Sequence, residues 1–110
     1  MQCILRTRQT LCFVYYEMKH RLQPGQSGIT SALNTLAPSL RTEYQQIWTS
    51  LGSNLGSTAN QLGEIVDGRI SLTTAELTAA LPDPVVPGDF FGFPVVLRRT
   101  ADGVWRITEM

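Results

Sequence analysis

Two cysteines, one histidine and no apolar run long enough to cross a bilayer leave this 110-residue chain few chemical options. A membrane-spanning helix needs about 20 consecutive apolar residues, and none is present. Cys3 and Cys12 are too few for a disulfide framework, and their spacing matches neither a zinc site nor a redox pair. Cys12 lies within Leu11-Cys12-Phe13-Val14-Tyr15-Tyr16, where a small core hydrophobe is expected rather than a nucleophile. His20 stands between Lys19 and Arg21, cations that do nothing to set up a general base. There is also no excess of either charge. Nine basic side chains balance nine acidic ones, so the footprint of a dedicated nucleic-acid binder is missing and no nucleic-acid partner is expected. Glycine-rich phosphate loops, H-E-x-x-H, G-x-S-x-G and EF-hand patterns are likewise absent, so no catalytic residue, metal or cofactor is assigned.

What is present suffices for a globular core. Hydrophobic residues make up 43% of the chain, enough apolar surface to offset the entropy of ordering it. Charge is segregated. Arg6, Arg8, Lys19 and Arg21 face only Glu17 in residues 1–22, whereas residues 23–97 are predominantly acidic. This predicts a basic N-terminal segment lying against an acidic body. The apolar stretch after Arg8 is short and runs directly into Glu17, with no small-residue cleavage site, so a secretory signal is disfavoured and a cytoplasmic address is the default.

The aromatic and β-branched run from Thr10 to Met18 predicts a strand, making residues 1–22 a basic strand or arm. Residues 23–30, with Pro24-Gly25, read as a linker, and residues 31–110 as a single α+β domain. Within it Leu33, Leu36, Leu40, Tyr44, Ile47, Leu51, Leu55, Ala59, Leu62 and Val66 recur at helical spacing and mark one apolar seam. Thr30 or Ser31 is expected to cap its start, Ser39 to restart it after Pro38, and Asp67-Gly68 to end it. Gly52-Ser53 should break it into a helical hairpin. Thr73 and Glu76 have capping-box spacing, predicting a short third helix up to Leu81.

Beyond the prolines at 82, 84 and 87 the pattern becomes β. Pro94–Thr100 and Val104–Thr108 flank Ala101-Asp102-Gly103 as a hairpin. Two registers compete, a two-residue turn pairing Thr100 with Trp105 and a three-residue loop pairing Arg99 with Trp105. The latter gathers Val95, Leu97, Trp105 and Ile107 on one buried face and is favoured. The fold class expected is therefore α+β, with a helical hairpin and short third helix packed on a small antiparallel sheet that ends in a C-terminal hairpin.

Two candidate sites follow. Phe90, Phe91, Phe93 and Trp105 could line a small apolar ligand pocket or simply close the core. Arg98, Arg99 and Arg106 could form an anion patch, since like charges across a ladder are tolerated in water or beside an anion.

Gly88-Asp89-Phe90-Phe91, followed by a hairpin ending Asp102-Gly103-Val104-Trp105-Arg106-Ile107, resembles the C-terminal end of NTF2-like domains over residues 88–109. In that family a curved sheet wraps around helices to enclose a cone-shaped cavity, which implies a small-molecule-binding or enzymatic site around the C-terminal aromatics. Catalytic members use acids or histidines inside the cavity, and no position here matches them. The leading expectation is a non-enzymatic interaction or ligand-binding domain, with a homo-oligomer or protein partner meeting it through a sheet edge. The alternatives are an NTF2-like cavity protein, or a structural piece of a larger protein.

Overall fold

The N-terminal segment is a helix. In the computed structural model, which describes residues 6–110 and their side chains from Cys12 onward, α1 spans Arg6–Leu22. The expected strand or arm is thereby corrected. Cys12, Tyr15, Met18 and Leu22 are buried at helical spacing, and this stripe overrides the β preference of Phe13-Val14-Tyr15-Tyr16. Cys12 sits in the core as expected, but it is disulfide-bonded rather than a free thiol. Arg6 and Arg8 belong to α1, and their side chains lie outside the described set.

After a turn through Pro24-Gly25, α2 spans Ile29–Leu33 and α3 spans Pro38–Ser50. Neither begins as expected. Gly28 occupies the position before α2, and α3 opens with Pro38 itself, whose fixed φ and missing N–H suit a first helical turn. The seam does break at Gly52, where φ is +54°, a value that favours glycine. A 3₁₀ turn over Gly52–Asn54 leads into α4, Leu55–Asn60. The chain therefore turns from a 13-residue α3 into a 6-residue α4, and the helical layer is completed by α1, which packs on both α2 and α4.

The seam is buried or half-buried from Leu33 to Leu62 except at Ile47, which is exposed while Trp48 takes the core position. The last helix ends at Asn60, before Leu62. Val66, Asp67 and Gly68 lie in β1, Glu64–Ile70, with a bulge between Ile65 and Asp67. β2 spans Thr74–Pro82 where the short third helix was expected. Its apolar residues Ala75, Leu77 and Ala79 alternate, so as a strand they reach the helices together, whereas a two-turn helix would scatter them.

β3 covers Phe90–Arg99 and β4 covers Trp105–Glu109, completing an antiparallel meander in the order β1-β2-β3-β4. The hairpin adopts the three-residue loop. Leu97 faces Ile107, Arg98 faces Arg106 and Arg99 faces Trp105, with Gly103 at φ +81°. Ile65, Leu77, Val95, Leu97 and Ile107 form the sheet's share of the core beneath the helices. The outer side of β4 is also occupied. Ala37 N–H donates to Ile107 C=O at 2.7 Å, and Ile107 N–H donates to Thr35 C=O at 2.9 Å.

Candidate functional site

Between the helices lies a cavity of about 250 Å³. Met18 and Leu22 of α1 form one wall, Tyr44 and Trp48 of α3 another, and Leu55, Ala59 and Leu62 the floor, with Met110 closing one end. Exposed Ile47 stands at its rim. Most of these residues belong to the leucine seam, and the break at Gly52 is what turns a straight stripe into opposed walls. Tyr44 and Trp48 rings lie 5.6 Å apart at 55°, and the Tyr44 hydroxyl donates to Met110 C=O at 3.1 Å. Burial, then the nearby Glu43 carboxylate, pushes the Tyr44 phenol above its ordinary value, so it stays protonated. No carboxylate, amine or imidazole side chain lines this space. Its walls can bind an apolar body but offer no acid–base pair.

A polar cluster secures one side. Tyr15 hydroxyl donates to Gly63 C=O at 2.6 Å, and Lys19 Nζ donates to Leu62 C=O at 2.8 Å. Tyr16 hydroxyl donates to Glu64 Oε2 at 2.6 Å and accepts Ile65 N–H at 3.0 Å. Lys19 is buried, 3.7 Å from Glu64 and over both tyrosine rings, at 5.9 and 5.5 Å from their centres. Burial chiefly, with the neighbouring Tyr16 and Glu64, pushes the Tyr15 phenol far up. Every polar group named is engaged, so the cluster fixes α1 against the Leu62–Ile65 segment and thereby sets the cavity's width. Sequence reasoning missed it because its members are over forty residues apart.

The two expected sites are placed differently. Phe90 and Phe91 are exposed at the open end of β3, and Phe93 and Trp105 are half-buried against the core. Trp105 pairs with Arg99, six residues and so about 20 Å along β3 from Phe93. Phe91 instead borders a separate groove beside Leu62, Glu64 and Leu81. Arg98 and Arg106 do face each other on the outer side of the sheet, but Arg99 points to the other side. Arg106 is already engaged by Asp102 at 3.1 Å and Thr100 at 2.8 Å. Among the described residues no group of side chains could hold a metal ion, and no helix is long and apolar enough to cross a membrane.

No protein-family profile and no curated protein matches this chain. A solved structure does. A crystal structure of a Campylobacter jejuni protein, provisionally named an NTF2-like transpeptidase, superimposes with a TM-score of 0.50 at 10% identity, covering 96% of this chain and 100% of that one. The fold is NTF2-like. The resemblance seen over residues 88–109 thus extends through the helices and the whole sheet. At this identity the likeness is one of fold, and the transpeptidase name belongs to the Campylobacter protein. In this chain one cavity opens among the helices and Met110, and a second, of about 680 Å³, lies beside Phe91.

Proposed function

We propose that this protein is a binding domain for a small, neutral, apolar molecule held in the cavity between α1, α3 and α4. The observation that carries this reading is a cavity of about 250 Å³ walled by apolar and aromatic side chains with no ionisable acid or base of use to catalysis. An apolar cavity of roughly 150 Å³ accepts benzene, so this one suits a ligand on the order of ten non-hydrogen atoms. A charged group held among these walls would be stranded without a partner, so any ionised end of the ligand would stay in water at the Ile47 rim. The NTF2-like fold supports a cavity protein in general without naming its ligand.

The test uses n-butylbenzene and a Trp105→Phe background, in which Trp48 alone reports. Saturable change in Trp48 emission, together with a melting temperature that rises with ligand concentration, is the expected result. Ala59→Leu, which projects a larger side chain into the cavity, should abolish both. No response up to the ligand's solubility limit, or a response unaltered by Ala59→Leu, refutes the assignment.

A further inference from the structure

A buried indole N–H ordinarily finds an acceptor, because one left idle forfeits the hydrogen bond it made to water. Trp48 departs from this. Only 5% of the residue is exposed. Its backbone carbonyl accepts from Gln26 Nε2 at 2.9 Å, and its ring packs beside Tyr44. Among the described residues, however, its Nε1–H donates to no acceptor. Nor is the nitrogen sealed in. Arg106 Nε is the one buried side-chain nitrogen or oxygen, among the described residues, with neither a partner nor contact with open space. Trp48 Nε1 therefore meets open space, and the space that Trp48 borders is the helical cavity.

The other polar side chains on the walls do not compete for this role. The Tyr44 hydroxyl is engaged by Met110 C=O. Thr58 lies one turn after Leu55 on α4 and also borders the cavity. Its neighbour Ser57 turns its hydroxyl back onto Asn54 C=O at 3.0 Å, whereas the Thr58 hydroxyl has no partner among the described residues. Thr58 is half-buried, so water can serve its hydroxyl and a ligand adds little there. The indole, closed off from bulk water, has more to gain.

An indole nitrogen donates and cannot accept, so what it recognises is an acceptor. A charged acceptor would carry an ion in among apolar walls, which leaves a neutral oxygen. We infer that Trp48 is the specificity-determining residue of the cavity. Its ligand is an apolar molecule bearing an uncharged oxygen acceptor, a ketone, ester or ether, to which Trp48 Nε1–H donates. This rests on the cavity being a binding site and adds the one polar feature its ligand must have.

Butyrophenone and n-butylbenzene test it, since they differ by a carbonyl in place of the methylene next to the ring. The carbonyl is the better hydrated, so without a donor in the cavity the ketone must bind more weakly. By calorimetry the parent should bind the ketone at least as tightly as the hydrocarbon. Trp48→Phe should weaken the ketone about tenfold relative to the hydrocarbon, whose own change reports the altered shape. A second readout leaves Trp48 in place. In Trp105→Phe the Trp48 indole proton is the only one in the chain, and it should move downfield with the ketone and not with the hydrocarbon. Thr58→Val should leave the preference for the ketone unchanged. Three results overturn this inference while the binding reading stands: a ketone that binds about tenfold more weakly than the hydrocarbon, an indole proton that answers both ligands alike, or a preference lost in Thr58→Val and kept in Trp48→Phe. Failure of both ligands to bind overturns the binding reading itself, and this inference with it.

Discussion

Removing one oxygen atom at Tyr15 should cost far more than removing its neighbour's. Tyr15→Phe keeps the ring, so no cavity forms and the loss is confined to the 2.6 Å hydrogen bond to Gly63 C=O. Both Tyr15 and Gly63 are buried, so water cannot replace the donor and the carbonyl is left without a partner. Stranding a buried acceptor costs about 1–3 kcal/mol, which for a domain of this size lowers the melting temperature by about 4–12 °C. Tyr16→Phe is the control. Its hydroxyl bonds Glu64 and Ile65 N–H near solvent, where water can take over, so its loss should stay below about 1 kcal/mol. Thermal melts followed by circular dichroism near neutral pH measure both. If Tyr15→Phe melts within a degree of the parent, or Tyr16→Phe is the more damaging, the polar cluster does not hold α1 to the Leu62–Ile65 segment as described.

Other outcomes follow from the same contacts. The Tyr15 phenol is raised in the folded state, so its contribution to stability is intact below its ordinary value of 10 and is lost as pH climbs beyond it. Urea midpoints should therefore fall above pH 10, and less steeply in Tyr15→Phe. Hydrogen bonds from Thr100 and Val104 N–H, then the Arg106 guanidinium, lower Asp102 to about 2. Its carboxyl carbon should accordingly titrate by NMR near that value, and Arg106→Ala should move the midpoint upward. Leu77→Ala, in the fully buried centre of β2, should destabilise the fold by about 2–5 kcal/mol. Ile47→Lys, at the exposed rim of the cavity, should change the melting temperature little. Equal losses for the last two would show that the rim is core.

Where local chemistry decides structure, the sequence was readable. Ala101-Asp102-Gly103 demands a left-handed glycine, and the apolar alternation on either side then selects the register that sets Arg99 against Trp105. Gly52 likewise marks the break between α3 and α4. The errors arise where two local signals compete and tertiary packing chooses. Phe13-Val14-Tyr15-Tyr16 favours a strand, but Cys12, Tyr15, Met18 and Leu22 also fit one helical face, and the core uses that face. Thr73 and Glu76 imitate a capping box, yet Ala75, Leu77 and Ala79 alternate, and the sheet needed small residues beneath the helices. The site was half legible. The seam through Tyr44, Leu51, Leu55, Ala59 and Leu62 supplies cavity walls, but a pattern of apolar positions does not reveal whether the space between them is filled. The phenylalanines lie apart from that space, with Phe91 bordering the groove beside Leu62, Glu64 and Leu81.

The segment Thr35–Ala37, bonded along β4, has a consequence for how far any assembly can extend. Stacked growth into filaments requires two adhesive borders per molecule, one to receive and one to offer. Here the chain's own interhelical link takes both backbone groups of Ile107 at the middle of β4, so a strand from another molecule could not run the length of that border without first displacing it. Loosening Thr35–Ala37 would be the route by which that border becomes adhesive.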